Sequence, residues 1–333
     1  MTPRPLGVTR FDGMTCSAAA VDLPLPGTAT RVTGWLCIEH PGGWGRDVIG
    51  DAVLGPEITE ELAARTKAAR VRPTLIRRPG RYEFTGTRTV LIASSRQEGS
   101  WCERFEITDV KQLLELDLDL LNGPPPGIGA PVRDPLALVC AHGKRDQCCA
   151  LLGRPIAAAL AARYPDQVWE CSHTGGHRFA PAMVLLPSGS TYGRVDSAAA
   201  IEAVEAARRG AVSLTGLRGR SCHHPVEQAA DIAVRRIAAA GADDLLVHME
   251  PENGIAPADY VAANAAVADA ADAADPAVTA TAVVTHRDGR RWRVSARTVT
   301  FDPRQASCGA NPKPATAVVA GDPRPLPPVR PVS

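Results

Sequence analysis

The chain has 333 residues, of which 45% are hydrophobic and 22% are charged, and its formal net charge is +1. This composition is that of a globular protein, and the length leaves room for two domains of ordinary size. A net charge so close to zero creates no overall field that favours nucleic acid or an anionic membrane. The sequence therefore predicts neither kind of partner.

The cysteine content has to be judged against the expected compartment. No run of about 18 apolar residues is free of charge, and Met1–Val21 lacks the apolar core of a secretory signal, so we expect a cytoplasmic protein. An odd number of cysteines in a reducing compartment argues against a disulfide framework. We expect core thiols, metal ligands or redox groups among the nine, which are Cys16, Cys37, Cys102, Cys140, Cys148, Cys149, Cys171, Cys222 and Cys308.

The apolar spacing predicts a first α/β unit over residues 30–121, after an irregular arm. Its predicted strands are Val32–Ile38, Val71–Ile76, Thr87–Ser94 and Trp101–Ile107, and its predicted helices are Glu57–Arg70 and Asp109–Leu118. The segment Asn122-Gly-Pro-Pro-Pro-Gly127 then predicts a domain linker, because consecutive prolines neither continue a helix nor fit a central strand.

A second unit is predicted over residues 128–305, followed by a Pro-rich tail over 309–333 in which Asp322–Ser333 is expected to be disordered. The predicted strands are Pro135–Cys140, Gln167–Cys171 and Ala182–Leu186, with a hairpin formed by Thr279–Thr285 and Arg291–Val299 around Asp288-Gly289. The predicted helices are Asp146–Tyr164, Ser197–Arg209, Pro225–Ala240 and Ala262–Ala274.

Residues 140–177 hold the densest group of side chains that can bind a metal. The two motifs are Cys140-Ala-His-Gly-Lys-Arg-Asp-Gln-Cys148-Cys149 and His173-Thr-Gly-Gly-His177. The cysteines are placed where a strand ends and a helix begins, and N–H groups at a helix start stabilise thiolates. The paired glycines allow a sharp turn, so that both imidazoles can converge on one metal.

The ligand types suit either tetrahedral zinc or an iron–sulfur cluster. Eight residues separate Cys140 from Cys149, whereas structural zinc sites usually have about two to four between their cysteines. The longer loop favours an iron–sulfur cluster with bridging sulfides, which is wider than a single zinc ion. Cys148 remains open as an alternative ligand to its neighbour Cys149, although the spacing favours Cys149.

Several motifs together resemble the sucrase/ferredoxin-like family over roughly residues 30–310. Besides the two motifs above, they are Glu39-His-Pro-Gly-Gly-Trp-Gly-Arg-Asp47, Trp169-Glu-Cys-Ser-His173, Arg178-Phe-Ala-Pro181 and Tyr192-Gly-Arg194. The resemblance implies a thioredoxin-like ferredoxin domain, in which C-x8-C and H-x3-H hold a two-iron, two-sulfur (2Fe-2S) cluster. Carried onto this chain, it implies the ligands Cys140, Cys149, His173 and His177. No carboxylate pair supports a sucrase activity.

We therefore expect an α/β fold with two thioredoxin-like units, the second of which carries the cluster. The expected function is electron transfer rather than enzymatic catalysis. Electron transfer requires a reductase and an acceptor protein, neither of which the sequence identifies. If the outer nitrogens of His173 and His177 are exposed, these imidazoles titrate near neutral pH, and the reduction potential is then predicted to fall as the pH rises. A zinc-stabilised interaction module and a thiol–disulfide oxidoreductase remain alternatives, although the C-x-x-C usual for the latter is absent.

The remaining polar residues have simpler expected roles. The segment Cys222-His223-His224 precedes a predicted helix and is interpreted as a helix-start loop. Cys37 and Cys171 are expected to be core thiols, and Cys308 to be a structural thiol or a redox thiol. The candidates for orienting the ligands are His142, Asp146, Arg178 and Arg194.

Overall fold

A computed structural model describes residues 13–81, 83–250 and 279–328, which form a mixed α/β structure with two sheets. The larger sheet has ten strands, which are β1 (Gly34–Glu39), β2 (Val71–Arg77), β3 (Arg88–Ser94), β4 (Trp101–Ile107), β5 (Ala130–Pro131), β6 (Leu136–Cys140), β7 (Val168–Cys171), β8 (Ala182–Leu186), β9 (Ser190–Gly193) and β10 (Leu217–Arg220). Their order across the sheet is β10-β9-β8-β6-β7-β2-β1-β3-β4-β5.

Four helices form close to the ranges that the sequence predicts, and a short one, which was not predicted, lies in the N-terminal arm. The α-helices of the described chain are α1 (Cys16–Ala19), α2 (Pro56–Ala68), α3 (Gln147–Arg163), α4 (Ser197–Arg208) and α5 (Pro225–Arg235). Asp196 starts α4 by accepting a hydrogen bond of 2.8 Å from the backbone N–H of Ala199. The helix expected over Asp109–Leu118 is instead two short 3₁₀ segments, Val110–Glu115 and Leu118–Asn122. The helix expected over Ala262–Ala274 lies outside the described residues.

The first half of the large sheet (β1–β5) and the second half (β6–β10) contain the same strand arrangement. In each, a helix joins two parallel strands, and two further strands add antiparallel beside the first of them. The helix is α2 between β1 and β2, and α3 between β6 and β7. Antiparallel pairing of β2 with β7 joins the two halves into one sheet. The predicted domain boundaries and the thioredoxin-like assignment stay predictions.

One face of the large sheet forms a core that both halves share. Trp35 and Cys37 of β1 lie in the same buried cluster as Trp169 and Cys171 of β7. The expectation that Cys37 and Cys171 are core thiols is confirmed, and burial raises the pKa of each thiol. The opposite face packs against α2 in the first half and against α3 and α4 in the second. This packing places the start of α3 beside the end of β6.

The smaller sheet is antiparallel and orders the chain after Cys308 through backbone pairing. Its strands are β11 (Leu245–Met249), β12 (Thr279–His286), β13 (Arg291–Gln305), β14 (Pro312–Ala320) and β15 (Arg324–Leu326). Because β15 pairs with β13, the expectation of disorder from Asp322 onward is wrong as far as residue 328. Proline is tolerated there because β15 pairs with β13 alone, and an edge strand can lack an N–H donor. Residues 329–333 lie outside the described chain.

No helix in the described ranges combines the length and the apolar character that crossing a lipid bilayer requires.

His223 is a buried side chain without a polar partner at the start of α5. It is 1% exposed, and neither ring nitrogen has a hydrogen-bond partner among the described residues. Burial lowers the pKa of His223 to about 4. The segment Cys222–His224 leads into α5 at Pro225, as predicted, and contributes to no group of metal-capable side chains within the described chain.

We expect burial of His223 to make folding weaker in acid. Above pH 6.5 the ring is neutral in both states, but between about 6.5 and 4 only the unfolded state takes up the proton. The free energy of unfolding should therefore fall as the pH is lowered through this window, by roughly 2–3 kcal/mol for this residue. Urea unfolding at pH 7 and pH 4.5 measures the fall.

The control is His223→Leu, which removes the titrating ring and leaves no buried polar atom unpaired. It should reduce the difference in unfolding free energy between the two pH values. His224, whose pKa burial also lowers to about 4, remains in both proteins and cancels from the comparison. Equal pH dependence in the two proteins would contradict the assignment.

Candidate metal centre

Cys140 and Cys149 meet where the end of β6 faces the first turn of α3. Asp146 begins the helix, because its Oδ1 accepts a hydrogen bond of 3.0 Å from the backbone N–H of Cys148. Both Cys140 and Cys149 are 1% exposed. A hydrogen bond from the Cys149 thiol lowers the pKa of Cys140 well below its usual value and raises that of Cys149. The pair therefore holds one thiolate readily and keeps the second proton.

Gly153 allows α3 to approach β6 this closely. A β-carbon on Gly153 would lie 2.1 Å from the carbonyl oxygen of Cys140, which is far inside van der Waals contact. Gly153 lies one helical turn after Cys149, on the same face of α3. The missing side chain is thus the reason that the Cys149 sulfur can reach Cys140.

His173 and His177 lie on the turn between β7 and β8. Gly175 has φ +98° and Gly176 has φ +72°, which are backbone conformations that side chains disfavour. The turn brings the two imidazole centroids to 5.0 Å from each other. It also places the His173 Nδ1 4.0 Å from the Cys140 Sγ.

Two side chains fix the start of this turn. Arg72 donates from Nη2 to the His173 carbonyl at 2.6 Å. His142 accepts the backbone N–H of His173 on Nδ1 at 3.1 Å and donates from Nε2 to the Gly45 carbonyl at 2.9 Å. Because a carbonyl only accepts, these two bonds require the neutral His142 tautomer with its proton on Nε2. The expected role of His142 in orienting a ligand therefore has a defined geometry.

Arg218 holds the middle of the turn from inside the protein. Its Nη1 donates to the Gly175 carbonyl at 3.2 Å, its Nε donates to the Thr28 hydroxyl at 3.0 Å, and it is fully buried. Burial, and the nearby Arg178 and Arg194, lower the pKa of Arg218 to about 9, which still leaves a cation at neutral pH. Sequence reasoning missed Arg218 because β10, which carries it, was not predicted.

The two arginines that sequence reasoning selected contact residues outside the turn. Arg194 donates to the Leu23 carbonyl at 2.9 Å and to the Ala20 carbonyl, so it anchors the N-terminal arm. The guanidinium carbon of Arg178 lies 4.9 Å from the centroid of the Phe179 ring, and the buried Nε of Arg178 has no hydrogen-bond partner in the described chain.

The structure brings three of the four predicted ligands into one group. The ligand atoms of Cys140, Cys149 and His173 lie within 4.8 Å of one another. His177 lies beside this group, with its Nε2 3.9 Å from the Asp146 Oδ2. Its buried Nδ1 has no hydrogen-bond partner among the described residues, and burial and the neighbouring His173 lower its pKa. The neutral ring therefore keeps a nitrogen lone pair available for a metal.

Cys148 belongs to a different group from its neighbour Cys149. Successive helix residues differ by about 100° in direction, and Cys148 faces Cys16 and Cys308 instead of Cys140. With Asp146, these three cysteines form a second group whose ligand atoms lie within 4.8 Å of one another. Sequence reasoning placed Cys16 in an irregular arm and so did not anticipate this group.

Comparison with known proteins agrees with the motifs. A family model described as sucrase/ferredoxin-like matches residues 25–219, which is more than half of the chain. The chain belongs to the sucrase/ferredoxin-like family. The match includes all four predicted ligands but neither Cys16 nor Cys308. No curated protein and no solved structure matches the chain.

We expect Gly153→Ala to destabilise the protein, although the same change in an exposed helix stabilises by about 1 kcal/mol. The added β-carbon would overlap the Cys140 carbonyl, so α3 must move away from β6 at a cost of roughly 1–3 kcal/mol. Urea unfolding measures this cost, and Arg154→Ala at the adjacent exposed position is the control. A more stable Gly153→Ala protein would show that α3 does not pack against Cys140 in this way.

Proposed function

We propose that this protein is an electron carrier that binds one 2Fe-2S cluster through Cys140, Cys149, His173 and His177. The observation that carries the proposal is the convergence of two buried thiols and a glycine turn bearing two imidazoles at one end of β6. The sucrase/ferredoxin-like family and its redox association support it. The repeated strand arrangement supports two thioredoxin-like units, residues 30–121 and 128–305, of which the second binds the cluster.

The donor groups fit such a cluster in type and in protonation. The Cys140–Cys149 contact favours a thiolate on Cys140, and the buried Nδ1 of His177 is free of other hydrogen bonds within the described chain. When bound, the cluster supplies one-electron chemistry. Proton-coupled reduction, expected from two imidazoles, stays a prediction.

Buried positive charges near the proposed site favour reduction of the cluster, which adds one negative charge. The guanidinium groups of Arg72 and Arg218 bind the carbonyls of His173 and Gly175. Positive charges fixed in a low-dielectric interior lower the free energy of an added electron. They also hold the turn in place, so that little reorganisation accompanies electron transfer.

Exposure differs between the two sides of the proposed site. The thiols of Cys140 and Cys149 are buried, whereas the His173 ring is half-buried and the His177 side chain is 16% exposed. The histidine side is therefore the side from which an electron can enter or leave. The proposal requires two protein partners, a reductase and an acceptor.

A cleft beside the proposed site supports partners with an acidic surface. It has a volume of about 480 Å³ and is lined by Trp44, Arg77, Lys144, Arg154 and the His142 segment, with no carboxylate among the lining side chains. Glu170 neutralises Arg77 at 2.7 Å, which leaves Lys144 and Arg154 as the effective positive charges. Electrostatic attraction of this kind speeds encounter more than it strengthens the complex.

A zinc-stabilised interaction module is the second candidate. The grouping of Cys140, Cys149 and His173 within 4.8 Å is small enough for a single ion, which is the observation in its favour. A thiol–disulfide oxidoreductase is less well supported, because the buried thiols of Cys140 and Cys149 are not accessible to the disulfide of a substrate protein.

Metal and sulfide analysis of anaerobically purified protein separates these functions. We expect a brown protein with about two iron and two acid-labile sulfide per chain, as a [2Fe–2S] cluster requires. Cys149→Ser should lose at least nine-tenths of the iron, because it removes a ligand. Cys222→Ser, at a cysteine outside both groups, is the control and should keep the iron.

Electron paramagnetic resonance of the reduced protein tests the histidines. Variants His173→Cys and His177→Cys should shift the signal towards that of an all-thiolate cluster. A wild-type signal that already resembles an all-thiolate cluster would contradict the histidine assignment. A colourless protein that contains zinc at this site and no sulfide would support the interaction module instead.

A further inference from the structure

The geometry points to a second metal site, in which Cys16, Cys148 and Cys308 bind one thiophilic divalent ion of the zinc class with Asp146 as the fourth ligand. This site is separate from the proposed cluster. Neither Cys16 nor Cys308 lies within the residues that match the family. The inference does not depend on the proposed electron-transfer function.

Three remote parts of the chain bring the sulfur atoms together. Cys16 begins α1, Cys148 lies in the first turn of α3, and Cys308 lies between β13 and β14. The Sγ of Cys148 lies 3.6 Å from that of Cys16 and 3.3 Å from that of Cys308. The distance between the Cys16 and Cys308 sulfurs is 3.6 Å. The three sulfurs therefore form a nearly equilateral triangle.

The size of this triangle fits a single ion. Thiolates bound tetrahedrally to zinc at about 2.3 Å are roughly 3.8 Å from one another, close to the observed separations. A disulfide would require about 2.05 Å, and all three cysteines are free. Thiolates on different irons of a sulfide-bridged cluster would be farther apart. Soft thiolate donors in a tetrahedral arrangement select zinc among common divalent metals.

Asp146 presents a carboxylate to the same position. Its Oδ1 and Oδ2 each lie 3.5 Å from the Cys16 Sγ, and its side chain is fully buried. The backbone N–H groups of Cys148 and Cys308 donate to the carboxylate at 3.0 and 2.8 Å, and the Ser307 hydroxyl donates at 2.9 Å. A carboxylate has about four acceptor sites, so one remains for a metal. The hydrogen bonds orient it towards the sulfurs.

Hydrogen-bond donors also point at two of the three sulfurs. The backbone N–H of Cys16 donates to the Cys308 Sγ at 3.4 Å. The Ser17 hydroxyl donates to the Cys148 Sγ at 3.3 Å. Arg178 lies close enough to Cys16 for an electrostatic interaction. Such donors stabilise a thiolate once a metal has displaced its proton, whereas burial raises the pKa of the Cys16 and Cys308 thiols in the metal-free protein.

Such an ion would tie the N-terminal arm and the β13–β14 loop to the start of α3. Because a site assembled from distant segments does not exist in the unfolded chain, its binding energy contributes to folding. The ion would also fix the helix turn that carries Cys149. Its role is therefore structural, and it supports the neighbouring proposed cluster.

Metal analysis and cobalt substitution of the full-length protein test this site. We expect about one zinc per chain in purified wild-type protein, and removal of zinc should lower the melting temperature. Cobalt added to the zinc-free protein should give thiolate-to-cobalt charge-transfer absorption and the intense visible bands of a tetrahedral site. Cys308→Ser should weaken cobalt binding at least tenfold. Cys222→Ser, at a cysteine outside both groups, is the control and should bind as wild type does.

The two sites can be distinguished in the same protein. Cys308→Ser should lose zinc and keep iron and sulfide, whereas Cys149→Ser should lose iron and keep zinc. Cys16→Ser is the second variant if Cys308→Ser does not fold. Cobalt binding that is unchanged in both Cys308→Ser and Cys16→Ser would overturn the inference. Cobalt absorption that only Cys149→Ser removes would also overturn it. A disulfide within this group in protein isolated without reductant would overturn it as well.

Discussion

Both groups of cysteines depend on the hydrogen bonds that the buried carboxylate of Asp146 accepts. It accepts the N–H of Cys148 and thereby fixes the residue at which α3 begins. Burial alone would raise the pKa of Asp146, but hydrogen bonds from the backbone of Cys308 and Cys148 outweigh this effect and lower it to about 2. The charge is therefore permanent at physiological pH. A helix that began one residue earlier or later would rotate both thiols away from their partners.

The opposite side of the proposed cluster site depends on buried cations rather than on a helix start. Arg218 reaches from β10 to the Gly175 carbonyl, and Arg72 reaches from β2 to the His173 carbonyl. A buried guanidinium is stable only if its donors find acceptors. The carbonyls of a tight glycine turn supply acceptors that no strand partner uses. The hydrogen bonds that Arg72 and Arg218 need therefore fix the turn, and with it the positions of the His173 and His177 rings.

Local sequence patterns predict much of this structure. Apolar runs bounded by turns place β1–β4 and β6–β8 within two residues of their observed ends, and the start of α3 follows from Asp146. Several of the strands that were missed are short and polar, such as Ser190–Gly193 and Leu217–Arg220, which contains two arginines. Backbone pairing with β8 and β9 orders them, and composition carries no signal of that pairing.

The candidate site shows the same division between local and remote information. Cys140, Cys149, His173 and His177 lie within 40 residues, so their spacing is visible in the sequence. The Cys16–Cys308 contact joins residues almost 300 positions apart, and only the folded chain shows it. Sequence spacing favoured Cys149 but could not say what Cys148 does.

A helix gives the physical reason why two adjacent cysteines serve different groups. Neighbouring side chains differ by about 100° in direction, so Cys148 and Cys149 cannot both approach Cys140. Because Cys148 faces the N-terminal arm and the β13–β14 loop, those segments cover the first turn of α3 and leave Cys148 and Cys149 each 1% exposed. The segments that carry Cys16 and Cys308 therefore exclude water from the neighbourhood of Cys140 and Cys149 and lower the dielectric constant there. A low dielectric strengthens the interaction of its thiolate with Arg72 and Arg218, which couples the packing at one group to the electrostatics of the other.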